Sequence, residues 1–187
     1  EVESKSLLEH VGIPVVRTEL AKSKLEAIEI AKRIGMPVVL KIVSEDVSHK
    51  SDIGGVKIDI KSVRQVGLAY DSIISSTKSS VANARIQGVS VQKMAERGVE
   101  IIIGATKDPQ FGHVIMFGLG GVLVELLRDV SIRLVPLHQR DAKSMISEIK
   151  SFPLLQGYRE YPGCDIESLE LALMNLSRFL EERPIIK

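Results

Sequence analysis

Apolar and polar residues follow two different periods in the first half of the chain. Ser23 and Glu26 form an S-x-x-E pattern typical of a helix N-terminus, and the apolar residues behind it recur every three or four positions, which predicts an amphipathic helix. Residues 38–43 are instead a short, β-branched apolar run, which predicts a buried strand. Residues 56–60 alternate apolar with polar, as in a half-buried strand, and residues 15–16 predict a further short strand. The first half therefore predicts strands that alternate with helices.

Predicted strands cluster in the second half. Residues 100–105 are strongly apolar, and a turn sequence at 108–112 precedes a second apolar run at 113–117, which predicts a β-hairpin. Asp165 is a good N-cap for a last helix, whose leucines recur along one face. The pattern as a whole predicts an α+β fold, of α/β character in its first half.

A small, polar stretch at 75–84 is the best candidate for a domain boundary. It divides the chain into an N-terminal lobe, residues 1–84, and a C-terminal lobe, residues 85–187. Because small ligands usually bind in clefts between lobes, we expect a ligand site where the two meet.

Composition narrows the class of protein. Of the 187 residues, 44% are hydrophobic and 26% charged, which is typical of a globular chain and excludes a disordered one. Lysine and arginine total 25 against 24 acidic residues, so charge does not indicate a nucleic-acid-binding protein. Cys164 is the single cysteine, which excludes an internal disulfide, and no apolar run approaches the roughly 20 residues of a membrane span. We therefore expect a cytoplasmic protein without nucleic-acid or membrane partners.

Three sites along the chain carry groups suited to catalysis or ligand binding. Lys41 interrupts an apolar strand, and either faces solvent or meets an anionic ligand. The loop at 48–55 contains His49, a candidate nucleophile, and ends in Gly54 and Gly55, whose amides can approach an anion closely. From composition alone, an ordinary flexible surface hairpin is the favoured interpretation of this segment. Glu100, at the start of a strand, either binds a ribose or faces water.

A second glycine cluster, at 118–121, is half of a dinucleotide-binding fingerprint. Leu123 stands where the third glycine of that fingerprint belongs, so the Rossmann interpretation fails. Glu125 and Asp129, four residues apart, either face one site or are ordinary surface acids, and the pattern favours surface acids.

Several longer strings, in this order, resemble one known family. They are PVVLKIVS (37–44), SHKSDIGGV (48–56), VQKM (91–94), GVEIIIG (98–104), KDPQFG (107–112), MFGLGGVLVE (116–125) and DVSIR (129–133). They resemble the ATP-grasp β subunit, or β-like domain, of NDP-forming acyl-CoA synthetases of the ADP-forming acetyl-CoA synthetase type. The resemblance covers nearly the whole chain.

The resemblance implies two α+β lobes that clasp ATP or ADP with Mg²⁺. It also implies a reaction in which acyl-CoA, ADP and phosphate give free acid, CoA and ATP. An α subunit or α-like CoA-binding domain would be the partner, in a hetero-oligomer, and would form the acyl phosphate. The residues it assigns are His49 as phosphohistidine, Lys41 on phosphate, Gly54 and Gly55 over the phosphates, Gln92, Lys93 and Met94 as the hinge that reads adenine, and Glu100 on ribose.

Two points separate this chain from the family pattern. Lys93 stands where the family usually has glutamate. Nucleotide binding is preserved if this position acts mainly through its backbone, whereas a role for the side chain would change the nucleotide preference. The chain ends at Lys187, before the strands that supply Mg²⁺ ligands in the family, so the metal ligands are unknown, with Glu125 as a residual candidate.

Two alternative functions stay open: a non-catalytic, truncated ATP-grasp domain for nucleotide binding or assembly, and a β-like domain fused to a protein acetyltransferase. The loop at 48–55 argues against a succinyl-CoA synthetase β chain.

Overall fold

The computed structural model describes residues 2–96, 98–121, 128–159, 162–183 and 185–186. Its contacts divide the chain into two compact units. The first unit comprises Glu1–Glu9 and Pro14–Glu96, and the second comprises His10–Ile13 and Arg97–Lys187. Among the described residues, no helix is long and apolar enough to cross a membrane.

The first unit contains a four-stranded antiparallel sheet in the order β1-β4-β2-β3. Its elements are α1 (Val2–His10), β1 (Thr18–Ala21), α2 (Lys24–Ile34), β2 (Val38–Ser44), β3 (Val56–Ile60), α3 (Val63–Ser80) and β4 (Ile86–Lys93).

Two capped helices cover one face of this sheet. The hydroxyl of Ser23 accepts from the Glu26 amide at 3.2 Å and begins α2, as the S-x-x-E pattern predicts. The hydroxyl of Ser62 begins α3 in the same way. Together the helices and strands bury an aliphatic core that includes Ala27, Ile30, Leu40, Ile42, Val66, Ile73, Val89 and Val91. Burial stabilises each larger side chain by about 1.5–3 kcal/mol, so this core fixes which face of β2 and β4 points inward.

The strand register places a different set of residues on the opposite face. Gln92 of β4 lies directly across from Thr18 of β1 and from Val39 of β2, and Lys41 lies across from Ser90. Residues directly opposite one another in an antiparallel pair share a face, and alternate residues of a strand do too. Lys41, Gln92 and Thr18 therefore share the face that α2 and α3 leave uncovered.

The second unit contains a three-stranded antiparallel sheet in the order β5-β6-β7. Its elements are β5 (Ile101–Asp108), β6 (Gly112–Leu119), β7 (Val130–Leu134), α4 (Gln139–Glu148), α5 (Phe152–Gln156) and α6 (Ile166–Glu182). Asp165 caps α6 by accepting from the Ser168 amide at 2.9 Å. The core joins β6 to the helices through residues that include Ile115, Phe117, Met145, Ile146, Leu173 and Leu180.

The mixed α+β pattern and the hairpin at 108–112 are confirmed, but two details differ from expectation. Residues 15–16 are not a strand, because the chain joins the sheet only at Thr18, where pairing with β4 begins. The division between units also falls after Glu96 rather than after residue 84. The reason is that β4 pairs with both β1 and β2, so it cannot be separated from the first sheet.

Candidate functional site

Lys41 occupies the middle of β2 and is half-buried. Its Nζ donates to the side-chain oxygen of Gln92, Oε1, at 3.2 Å. The two residues come from adjacent strands on the face away from the core, so the bond aims the ammonium group along that face. The bond is compatible with both interpretations open for Lys41 in the sequence, a solvent-facing lysine and a cation that meets an anionic ligand, so a phosphate-binding role for Lys41 stays a prediction.

Lys5, on α1, also bonds the Gln92 side chain, and sequence reasoning missed this residue. Its Nζ donates to Gln92 Oε1 and to the hydroxyl of Thr18, each at 2.8 Å. Because the bonds of 2.8 and 3.2 Å from the two lysines end on one oxygen atom, the two nitrogens lie at most 6.0 Å apart. The structure thus brings two positive charges together on one amide.

The hinge segment uses its side chains and its backbone differently. Lys93 Nζ donates to the carbonyls of Gly35 and Met36, at 3.2 and 3.0 Å, just beyond α2. A cation is favourable at a helix C-terminus, so this side chain caps α2. The backbone amides of Lys93 and Met94 donate to the backbone carbonyls of Arg17 and Pro37, respectively. That Gln92, Lys93 and Met94 read adenine stays a prediction.

The loop between β2 and β3 is folded by its two glycines. The Gly54 amide donates to Ser51 at 3.1 Å and the Gly55 amide to Lys50 at 2.8 Å. Gly54 has a φ of +69°, a conformation that favours glycine. At Gly55 a Cβ atom would lie 2.7 Å from Ile42 Cγ2 and 2.8 Å from the Lys50 carbonyl oxygen, so only glycine fits. Both amides are therefore already bonded inside the loop, and phosphate binding by them requires the loop to rearrange.

His49 lies in the same loop and is exposed to solvent. The structure therefore presents its imidazole outward rather than packing it in the core. Exposure leaves the ring accessible to a reactant, and the role of His49 as nucleophile stays a prediction.

Glu100 is exposed directly before β5 and is shaped by the glycine cluster at 118–121. Its carbonyl accepts from the Gly120 amide at 2.8 Å. A Cβ atom on Gly121 would overlap Glu100 Oε2. The cluster that fails as a dinucleotide fingerprint has a packing role at Gly118 and Gly120, where a Cβ atom would lie 2.6 Å from the Asp129 carbonyl oxygen and 2.9 Å from the Ile101 carbonyl oxygen.

Asp129 is a structural acid. Its two carboxylate oxygens accept from the amides of Lys150 and Ser151 at 2.8 and 2.7 Å. Burial alone would raise the pKa of Asp129, but the hydrogen bonds from Ser151 and Lys150 outweigh it and lower the pKa below its usual value. Glu125 lies outside the described residues. In the part of the chain that the structure describes, no group of three or more histidine, cysteine, aspartate and glutamate side chains is placed to hold a metal ion.

The whole chain, residues 1–187, matches the family described as ATP-grasp domain. It is 41% identical over 182 residues to the "Acetate--CoA ligase [ADP-forming] II subunit beta" of Pyrococcus furiosus, a match that covers 97% of this chain and 77% of the relative.

Solved structures agree with this similarity. The acetyl-coenzyme A synthetase 1 of Ca. Korarchaeum cryptofilum, in complex with coenzyme A and Ca-AMPCP, superposes with a TM-score of 0.94 at 51% identity, over 97% of this chain and 79% of that one. A second structure of that enzyme holds Mg-AMPPCP, with its phosphohistidine segment pointing towards the nucleotide binding site. It superposes with a TM-score of 0.84 at 46% identity, over 97% of this chain and 78% of that one.

Proposed function

The chain belongs to the ATP-grasp family, as a nucleotide-binding module of the ADP-forming acetyl-CoA synthetase type, and we propose that it transfers a phosphoryl group between His49 and ADP. In the reaction as a whole, acyl-CoA, ADP and phosphate would give the free acid, CoA and ATP. The observation that carries the proposal is the meeting of the Lys5 and Lys41 ammonium groups at Gln92, on the face of the first sheet opposite α2 and α3.

We assign to Lys41 the binding of nucleotide phosphates. Lysine binds phosphate as a compact point charge. A lysine that is oriented before the ligand arrives stabilises the negative charge on the phosphoryl group during transfer, without any need for the site to reorganise. Catalysis of phosphoryl transfer depends mainly on positioning the reacting groups and on neutralising the charge of the phosphoryl group. Glu100 is our candidate acceptor for ribose hydroxyls, with its carboxylate exposed and close to Gly121.

We assign to His49 the role of nucleophile. A neutral imidazole nitrogen can attack the γ-phosphorus of ATP, so that an N–P bond forms while the bond from that phosphorus to the β,γ-bridging oxygen breaks. ADP then leaves with the oxygen, and the reverse step makes ATP. Because Gly54 and Gly55 close the loop through bonds of their own, we expect the loop to carry His49 as a segment. The related Korarchaeum enzyme, with a phosphohistidine segment that points towards its nucleotide site, supports this assignment.

Mg²⁺ accompanies the nucleotide analogue in that related structure. The described residues of this chain supply no cluster that fits such an ion. We therefore assign no residue to Mg²⁺ and derive no step through it.

We further propose that an α subunit, or an α-like CoA-binding domain, is the partner of this chain. The Pyrococcus relative is named as a subunit beta, which supports a hetero-oligomeric enzyme. In that arrangement the partner would form the acyl phosphate, and it would also select the acyl group.

Labelling with γ-³²P-ATP tests the proposal. We expect an acid-labile label on the wild-type chain in the presence of Mg²⁺ and the partner, and no label on H49A. His10→Ala is the matched control, since His10 is also an exposed histidine of the first half, and it should keep the label. A label that persists in H49A would remove His49 from the mechanism.

A further inference from the structure

We propose that Asp46 positions His49 for phosphoryl transfer, through a three-bond contact with Arg85 that fastens the loop between β2 and β3 to the start of β4. The assignment rests on the proposed function, because it names the residue that places the same nucleophile. Asp46 lies three positions before His49 and acts through the loop, not on the reacting atoms.

The Asp46 carboxylate accepts all three of these hydrogen bonds from one residue. Its Oδ2 atom accepts from the Arg85 backbone amide at 2.8 Å and from Nε at 3.1 Å, while Oδ1 accepts from Nη2 at 2.8 Å. Paired bonds from a guanidinium fix the direction of a carboxylate as well as its distance. The side-chain bonds from Arg85 hold the pKa of Asp46 at about 2, so the carboxylate is ionised and the contact is intact at neutral pH.

His49 has little freedom between its anchored neighbours. Val47, next to Asp46, is 7% exposed and packs in the core of the first unit. Lys50 follows His49, and its carbonyl accepts from the Gly55 amide at 2.8 Å. Each residue extends the chain by at most about 3.6 Å, so the Cα atom of His49 lies within about 7 Å of that of Val47. The direction in which the chain leaves the sheet at Asp46 therefore decides where the imidazole is presented.

The strand to which Asp46 is fastened also orients Lys41. Gln92 of β4 accepts from Lys41 Nζ at 3.2 Å, and Ser90 of β4 lies directly across from Lys41. The loop of the nucleophile and the proposed phosphate-binding residue thus take their positions from one strand. Phosphoryl transfer depends on that relative position, and a displacement of about 1 Å can slow a reaction about 100-fold.

The rate of label transfer from γ-³²P-ATP to His49, with Mg²⁺ and the partner subunit present, tests the assignment. We expect Asp46→Ala to lower the rate at saturating ATP by about 10- to 100-fold and to leave the ATP concentration for half-maximal rate unchanged. Arg85→Ala should have a smaller effect, since the backbone amide of residue 85 still donates to Asp46. The double variant should be no slower than D46A, because both changes break the same contact.

Glu19→Gln is the matched control. Glu19 is a carboxylate of the first unit that is bonded to Arg17 and Arg33, and its side chain is 30% exposed against 31% for Asp46. Exposed ion pairs contribute little to stability, so D46A and E19Q should both melt close to the wild-type protein. Only D46A should slow label transfer, whereas a merely structural role would slow both variants in proportion to their loss of melting temperature.

Phosphoramidate, a small phosphoryl donor that requires no nucleotide site, separates the position of the imidazole from its reactivity. We expect D46A to accept a phosphoryl group from phosphoramidate at the wild-type rate, measured as the mass increase of the peptide that contains His49. The variant should therefore be slow with ATP alone.

The outcomes distinguish the two levels of the proposal. If H49A loses the label and D46A is labelled by ATP at the wild-type rate, the proposed function stands and the assignment of Asp46 is wrong. Equal slowing of D46A with ATP and with phosphoramidate would also overturn the assignment, as would a change confined to the half-maximal ATP concentration or a double variant much slower than D46A. A wild-type chain that takes no label from ATP, or a label that persists in H49A, would contradict the proposed function and the role of Asp46 together.

Discussion

Replacing Gly55 with alanine tests the account of the loop that carries His49. The new Cβ atom would lie 2.7 Å from Ile42 Cγ2 and 2.8 Å from the Lys50 carbonyl oxygen. One of these atoms belongs to a fully buried side chain and the other to the backbone, so neither can withdraw freely. Overpacking of this kind costs about 1–3 kcal/mol. In a chain of this length, each kcal/mol lowers the melting temperature by about 2–4 °C.

The expected damage is local as well as global. The Gly55 amide donates to that same Lys50 carbonyl, so the clash should also open the turn and expose the peptide bond after Lys50. Scanning calorimetry measures the loss of stability, and limited trypsin digestion measures cleavage after Lys50. We expect G55A to melt lower and to be cut there faster than the wild-type protein.

Two other glycines provide matched controls. A Cβ atom on Gly98 would meet nothing within 4 Å, so Gly98→Ala should be close to neutral. Gly112 has equally open space but a φ of +81°, so Gly112→Ala should cost about 1–2 kcal/mol from backbone strain alone, without faster cleavage at Lys50. If G55A melts with G98A and is cut no faster than wild type, the close packing of this loop against β2 is wrong.

Three further predictions concern charge and packing elsewhere. Hydrogen bonds from Arg85 lower the pKa of Asp46 to about 2, so this contact stabilises the fold above the ordinary aspartate pKa and is lost as pH falls through about 2. D46N should therefore reduce the dependence of the melting temperature on pH across that acidic range. Gly121→Ala should displace the Glu100 carboxylate and weaken binding of ADP more than binding of its 2′,3′-dideoxy analogue, in paired titrations; equal losses would contradict a ribose contact. Lys93→Glu should destabilise the protein by about 1 kcal/mol in urea denaturation, because it places a carboxylate against helix-end carbonyls, and an unchanged or raised midpoint would show that the cap is unimportant.

Local chemistry made part of this fold predictable. Ser23 and Asp165 begin their helices as the capping patterns predict, because a cap depends on residues within one turn. The hairpin at 108–112 is local in the same sense. Residues 15–16 have strand-like side chains but no partner strand, and only the register of β4 determines that pairing starts at Thr18.

The candidate site was only half predictable for a related reason. Lys41 stands out in the sequence because it interrupts an apolar run. Lys5 gives no such signal, since it is one polar residue among others on α1, and its bond to Gln92 spans 87 positions in the chain. The effect of Lys93 was equally hidden, because the carbonyls that it caps follow α2, far from it in sequence.

The short segment His10–Ile13 has a consequence for any attempt to split this protein. It belongs to the second unit, where Asn175 donates to the Gly12 carbonyl at 3.1 Å, although the residues on either side of it belong to the first. No single cut therefore separates the two units completely. Cleavage after Glu96 would leave His10–Ile13 on the fragment that contains the first unit, although these residues pack in the second. During synthesis, Gly12 can form its bond to Asn175 only after the first half of α6 has been made.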